Sequence, residues 1–405
     1  MKNTIKLYCC AILLLAAFHT KAQIAVKAET IHTMEGAAIS NGVVLIKNGK
    51  IERVGTASQV NIPSGYQVLE AKVVTPGLVD GHTVVGLAGH LNAQGDQDQL
   101  EKSSPIQPEL RAIDAYNAKE ELVSFLRTHG ITTIHTGHGP GAIISGQTMV
   151  AKTYNGTIET VTLIPDKMLA MTLGTAVSSN FSSPGTRAKS VAMLRAELVK
   201  AQAYMKRKAE KDASKHPPLD LKMEALMKLL NGEYKGLITA NTATDIQAAL
   251  RLAEEFKFKL VLDGAAEAYQ FIDEIKRSGA ELIIHPTMAR SGGDYKNMSM
   301  ESAGILAKAG IPLSLQSGFE GYVPKTRVIR FEAAEAVKYG MDYQDALKSI
   351  TINPAKILGL DGRLGSIKAG KDADLVLYDG DPFEYLTHVC VVIMDGKVVE
   401  NLCEK

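Results

Sequence analysis

Net charge is almost absent from this chain: 45 Lys and Arg stand against 44 Asp and Glu, a formal +1 over 405 residues. That balance excludes the basic excess or stripe with which proteins hold nucleic acid or anionic membranes. No run of 18 uninterrupted apolar residues occurs, so no segment reads as a bilayer-spanning helix. Cysteine is scarce, with four in all, and Cys9 and Cys10 fall within the first 22 residues. What is present is ordinary for a globular protein: 45% apolar and 22% charged residues, 35 Gly and 14 Pro, a composition that argues against disorder, collagen and coiled coil. The length fits one large α/β domain with an appendage, or two to three smaller domains.

The start of the chain has its own logic. Lys2 and Lys6 precede an apolar stretch at 7–18, and Thr20-Lys21-Ala22 supplies small residues at −3 and −1 of a cleavage after Ala22. Residues 1–22 therefore read as a secretory signal peptide, and a periplasmic or secreted location is expected. A lipoprotein anchor competes less well, because Cys9 and Cys10 lie inside the apolar stretch and not at its end. Cleavage would remove three Lys and no acid, leaving 42 basic against 44 acidic residues, or −2. The other cysteines, Cys390 and Cys403, flank Asp395-Gly396. If that dipeptide makes a two-residue hairpin turn, Cys390 faces Asn401 and Cys403 is a diagonal neighbour, so a disulfide is not the expectation.

Both ends of the chain are β in style. Short extended runs at 24–31, 42–46, 50–54 and 67–71, with Asn48-Gly49 as a hairpin turn, are echoed at 374–378, 389–393 and 397–400. The fold class expected is α/β: residues 74–360 as a (β/α)8 TIM barrel, and 23–73 with 361–405 as a small composite β-sandwich domain built from both termini. Barrel strands are read at 73–79, 131–135, 168–173, 237–240, 260–263, 282–285 and 313–316, with an eighth at 148–153 or 160–164. Helices are read at 119–128, 187–209, 243–256, 267–278, 301–309 and 326–339. The basic stretch 206–215 reads as a solvated helix end. In such a barrel the site lies at the C-terminal ends of the strands.

There the sequence Thr75-Pro-Gly-Leu-Val-Asp-Gly-His82 ends an apolar run with Asp80 and His82. With Gly130-Ile-Thr-Thr-Ile134, Glu267-Ala-Tyr269, Ile352-Asn-Pro-Ala-Lys-Ile-Leu-Gly359 and Gly365-Ser-Ile-Lys-Ala-Gly-Lys-Asp-Ala-Asp-Leu375, the mature chain resembles the amidohydrolase superfamily, in its imidazolonepropionase-like branch. The resemblance implies hydrolysis of carbon–nitrogen bonds other than ordinary peptide bonds, supported by divalent metal, usually zinc, that activates water.

Carried over position by position, the implied metal ligands are mostly absent. His82 remains, but the second histidine of the usual His-x-His is Val84, and the fourth-strand segment Met168-Leu-Ala-Met-Thr-Leu-Gly174 holds neither Lys nor Glu. The fifth-strand position falls at Thr239 or Asn241, the sixth at Gly264 beside Asp263, and the eighth near Gly318. Refilling Val84, Thr239, Gly264 and Gly318 with His, His, His and Asp is expected to raise metal affinity and leave the fold largely unchanged. His82, His135, His138 and His285 are the candidate catalytic residues, with Asn241, Asp263 and Gln316 as candidate substrate contacts. His90, Asp96 and Asp98 lie on the long loop after the first strand. Against this, His-x-x-His on a loop is a weak metal signal, and His285-Pro286 can serve only to satisfy backbone groups. Gly137, Gly139, Pro140 and Gly141 read as a tight turn, and nothing in their spacing demands a phosphate. Two functions stay open: an exported hydrolase with an unusual site, or an inactive homologue that binds a small molecule. The chain could work as a homo-oligomer or paired with an intact amidohydrolase.

Overall fold

The computed structural model describes residues 23–91, 93–319 and 326–403, so the expected signal peptide at 1–22 lies outside the described residues. The chain opens with β1 (Ile24–Ile31), β2 (Ile39–Lys47), β3 (Lys50–Thr56) and β4 (Gln67–Pro76). Its interior carries β5 (Leu78–Thr83), β6 (Ile131–Thr136), β7 (Ile144–Gln147), β8 (Met149–Lys152), β9 (Thr162–Ile164) and β10 (Met168–Thr172). Then come β11 (Lys235–Ala240), β12 (Leu260–Gly264), β13 (Glu281–Ile284) and β14 (Leu313–Leu315). The chain closes with β15 (Leu375–Tyr378), β16 (Val389–Met394) and β17 (Lys397–Asn401).

Strands from the two ends meet in a single seven-stranded sheet ordered β17-β16-β15-β4-β1-β2-β3, where two packed sheets are the sequence expectation. The run read as one strand at 73–79 is two. It breaks at Gly77, whose N–H donates to the Asp374 carbonyl at 2.8 Å, and where a Cβ would lie 2.3 Å from Thr132 Oγ1. One segment thus belongs to the end sheet and the next to the interior. Buried Lys152 of β8 ties the two regions together by pairing with Asp374 and, at 3.2 Å, Asp395.

The interior is a mixed α/β arrangement, but the described strands do not form one closed parallel ring of eight. They make a six-stranded sheet, β14-β13-β12-β11-β10-β7, and a four-stranded one, β5-β6-β8-β9, with an isolated parallel bridge from Thr83 to Gly318. The departure has a steric cause. Only residues 137–143 connect β6 to β7, and a parallel return needs a crossover of a dozen or more residues. The chain therefore turns back, with β8 antiparallel to β6 and β7 antiparallel to β10.

Side-chain alternation then sorts the parallel strands. Leu237, Val261 and Ile283 join an apolar cluster with Ile357, Leu358 and Leu360, while Ile238, Leu262 and Ile284 join the larger core. Two residues beyond the first set come Thr239, Asp263 and His285, all buried. One strand face is thus apolar at its base and polar at its C-terminal end.

At the chain end Cys390 and Cys403 are disulfide-bonded, which corrects the sequence expectation. The register slips between Val392 and Ile393, so Val391 pairs with Asn401 and Val392 with Glu400. Val399 is the extra residue of a β-bulge. That one-residue slip moves Cys403 from a diagonal position to within 4.8 Å, Cα to Cα, of Cys390. Among the described residues no helix is long and apolar enough to cross a membrane.

Candidate active site

The polar strand ends open into a cavity of about 180 Å3 whose walls include His82, Val84, Thr239, Asp263, His285, Arg290, Tyr295 and Gln316. His82 comes from β5, where the pairing with β6 is irregular between Asp80 and Thr83. Its Nδ1 lies 2.9 Å from Asp263 Oδ1. Asp263 is in turn held by Thr239 Oγ1, which donates to Oδ2 at 2.5 Å, and by Gln316 Nε2, which donates to Oδ1 at 3.0 Å. Residues at or just beyond the ends of β5, β11 and β14 therefore converge on the carboxylate of β12.

Burial alone would push the Asp263 carboxyl up, but the His82 ring, Thr239 and Gln316 together hold it below the usual range. Burial likewise pulls the His82 imidazole down, and Asp263 with Asp80 more than offsets it, leaving His82 raised. The pair thus favours an imidazolium beside a carboxylate, with Nδ1–H donating to Asp263. Asp80 lies behind it, pushed up by burial to about 6, and accepts from the N–H groups of His82 and Ser317 and from the Ser317 hydroxyl.

His285 is the opposite case. Its Nδ1 lies 2.6 Å from the Pro286 carbonyl oxygen. A carbonyl only accepts, so Nδ1 carries the proton and Nε2 keeps its lone pair. Burial lowers its pKa, and no carboxylate faces it to reverse the effect. The backbone role expected of His285-Pro286 is there, but it occupies only one nitrogen. Both His82 Nε2 and His285 Nε2 are buried and have no hydrogen-bond partner among the described residues.

The other proposed residues are not part of this arrangement. His135 is fully buried with both nitrogens engaged, Nδ1 at 2.7 Å from the Gly81 carbonyl and Nε2 at 2.6 Å from Thr148 Oγ1. Burial pushes it down to about 3. His138 is buried beside Gly146 and the Leu110 carbonyl, pushed down by burial to about 4, and does not line the cavity. Asn241 is buried beside Gly264 and also lies off the cavity wall. His90 pairs with Glu120 and Glu121 at 3.5 and 3.1 Å, and neither it nor Asp96 and Asp98 of the same loop line the cavity. Sequence reasoning missed Arg290, Tyr295 and Phe319, which line the cavity from loops beyond strand ends. The only signal for the first two is that they follow His285 closely.

The donors present do not fit a metal cage. A catalytic zinc takes three protein ligands, yet no three His, Cys, Asp or Glu of this cavity bring donor atoms within 4.8 Å of one another among the described residues. The group that does, Asp379 with Cys390 and Cys403, lies at the disulfide. Nor are the positions at Gly264 and Gly318 simply empty, as the refilling expectation requires. Their φ values are 72° and 68°, and a Cβ would lie 2.5 Å from Asn241 Oδ1 and 2.9 Å from Pro286 Cγ respectively. A side chain at either would strain the backbone and displace a neighbour.

Residues 317–400 match the model of the Amidohydrolase family. A crystal structure of an amidohydrolase from Thermotoga maritima MSB8 superposes with a TM-score of 0.88 at 30% identity, covering 93% of this chain and 100% of that one. Imidazolonepropionase of Geobacillus sp. (strain WCH70) is 25% identical over 400 residues, 89% of this chain and 90% of the relative. Amidohydrolase tasK of Hapsidospora irregularis is 26% identical over 390 residues, 88% of this chain, and this match spans 39% of tasK's length.

Proposed function

The chain belongs to the amidohydrolase superfamily, on its imidazolonepropionase-like side, and from that premise we propose that it hydrolyses carbon–nitrogen bonds of small amides or cyclic amides without a caged metal. The observation that carries this reading is the pair of buried imidazoles lining one cavity, each with Nδ1 engaged and Nε2 free. One is tied to a carboxylate and raised, the other to a carbonyl and lowered. Such a divergence assigns an acid and a base. In this reading His285 Nε2 takes a proton from water as its oxygen attacks the carbonyl carbon. His82 Nε2–H then protonates the leaving nitrogen as the carbon–nitrogen bond breaks. Products are a carboxylic acid and an amine, and solvent returns each imidazole to its starting state.

The test is turnover of a panel of N-acyl amines and lactams by chelator-treated protein. Activity is expected to survive chelation and to fall about 10^2- to 10^4-fold in His82→Ala and in His285→Ala. Loss of activity on chelation with recovery on adding Zn2+, or equal turnover by His82→Ala, would overturn it.

A second reading rests on Val84, Gly264 and Gly318, which offer the cavity no side-chain donor where the family resemblance implies metal ligands. It makes the chain an inactive homologue that binds a small molecule or pairs with an intact amidohydrolase. Saturable ligand binding by calorimetry with no turnover across the panel would favour it. Export is part of the proposal as well. It is supported by the order of charge, apolar stretch and small residues at 1–22 and by the Cys390–Cys403 bridge, a bond that persists in oxidising compartments. Mass spectrometry of the protein from its native cell should find Gln23 as the first residue, and a chain retaining Met1 would refute export.

A further inference from the structure

Five residues of the cavity wall, His285, Pro286, Ala289, Arg290 and Tyr295, come from one connection, between β13 and the helix Ser302–Lys308. It is tied down at two places upstream of Asn297, which is itself held by Glu267 and Tyr269, its Nδ2 donating to Glu267 Oε1 at 2.7 Å and its carbonyl accepting from the Tyr269 hydroxyl at 2.9 Å. Near its start, Met288 N–H donates to Glu332 Oε2 at 2.8 Å and Thr287 Oγ1 to the Glu332 carbonyl at 3.2 Å. Further on, the Asp294 carboxylate accepts from Thr175 N–H at 3.0 Å and Thr175 Oγ1 at 2.8 Å, and lies 3.5 Å from Arg187 Nη2. Between the two anchors stand Gly292 and Gly293, with φ of 142° and 54° and nothing within 4 Å of where a Cβ would be. The joint is thus built of the residue that takes such angles freely, in open space.

We propose that this connection is a two-armed strap over the cavity, jointed at Gly292-Gly293, and that Asp294 is a positioning residue for the reaction. The proposal rests on the hydrolytic reading above. Asp294 fixes its neighbour Tyr295, whose ring meets His285 edge-on at 6.0 Å and 73°. It thereby sets the ring whose Nε2 is the base. The latch is itself held from behind. Arg187 Nε donates to Asp245 at 3.0 and 3.2 Å, and Asp245 accepts from Thr242 Oγ1 at 2.7 Å, so the guanidinium reaches Asp294 from a fixed place. Gly174, at φ 122°, makes room for this meeting of carboxylates. A Cβ there would lie 2.9 Å from Asp294 Oδ2 and 3.1 Å from Asp245 Oδ2. The Arg187 side chain is 43% exposed, so the ion pair alone is weak, and the charge-assisted bonds from Thr175 contribute more.

Hydrogen exchange by mass spectrometry, paired with steady-state kinetics on Asp294→Ala, Asp294→Asn and Arg187→Ala, tests this. In Asp294→Ala the amides of 293–296, upstream of the Asn297 anchor, should exchange about tenfold faster, while those of 287–289, on the Glu332 arm, keep their rates. KM should rise and kcat fall, roughly tenfold together in kcat/KM, with the alkaline limb of the pH profile set by His82 unmoved. Asp294→Asn keeps an acceptor for Thr175 and should fall between, as should Arg187→Ala. Unchanged exchange at 293–296 with kcat and KM within twofold would overturn the strap. The exchange result needs no turnover. If it appears as expected while His82→Ala stays fully active, the strap stands and the acid–base reading falls.

Discussion

Four histidines stand near one end of the interior strands, yet they divide into two environments. His135 is enclosed between the Gly81 carbonyl and Thr148 and His138 lies beside Gly146 and the Leu110 carbonyl, while His82 and His285 line a cavity. Burial does not separate them, since all four are buried. What differs is the partner of each nitrogen and whether the ring lines the cavity: His138 has neither nitrogen hydrogen-bonded among the described residues, yet it lies off the cavity wall. His135 spends both nitrogens on Gly81 and Thr148, as a core histidine does. His82 spends one on Asp263 and His285 one on Pro286, and each retains a nitrogen for chemistry. A histidine at a strand end is thus informative only once its hydrogen bonds and its place on or off the cavity wall are taken together.

The sharpest way to break this contrast is Asp263→Asn. The carboxylate that orients His82 and favours its charged form would be gone, and kcat/KM should fall roughly 10^3-fold with the fold intact. Kinetics with a circular dichroism melt would check it, and retained activity would place the acid elsewhere. Next comes His135→Ala, which leaves a buried hole and two unsatisfied polar groups. It should cost about 2–4 kcal/mol in urea unfolding, with the kcat of the folded fraction within a few-fold.

A smaller effect separates the pairs by pH. His135 and His138, held at about 3 and about 4 by burial, take up protons in the unfolded chain from about pH 6.5 downward but not in the folded one. Their stability contribution is therefore full above about 6.5 and is lost as pH falls from there toward 4, by up to about 1.4 kcal/mol per unit for each ring. Urea midpoints across pH 4–7 in wild type and His135→Gln would show the slope decreasing in the variant. His285 also titrates low, but in the active protein its signature is the acid limb of the rate profile, below 6.5. The smallest effect belongs to His138→Gln, which should change stability by about 1 kcal/mol or less and turnover by less than twofold. A larger loss of turnover would return His138 to the site.

Much of this was legible in the residues. The helix Ala243–Phe256 matches its expected bounds, because apolar periodicity runs unbroken from a Thr242 cap that accepts from Asp245 N–H. The Asn48-Gly49 and Asp395-Gly396 turns are found where the dipeptides stand, with positive φ at all four residues. The rest depended on geometry that no local pattern carries. The break falls at Gly77, where the close approach of Thr132 leaves no room for a Cβ and the N–H is taken by the Asp374 carbonyl, both far away in sequence. The disulfide depends on a single bulge residue, Val399, and the antiparallel β7–β8 segment on how short one connection is. At the site, Asp263 and Gln316 were accessible because alternation along a strand sends them to the same face as Thr239. Arg290 and Tyr295 sit on a loop, where position follows from the Glu332 and Asp294 anchors and not from spacing.

The central claim is that two imidazoles in one cavity are poised in opposite senses, and ring-nitrogen NMR on histidine-labelled protein reads it directly. His82 should titrate above 6.5 and His285 below it, both keeping the proton on Nδ1 when neutral, with the His82 value dropping toward or below 6.5 in Asp263→Asn. Should His285 titrate above His82, or His82 stay where it is without the Asp263 carboxylate, the acid and base assignments are wrong and the proposed hydrolysis loses its footing.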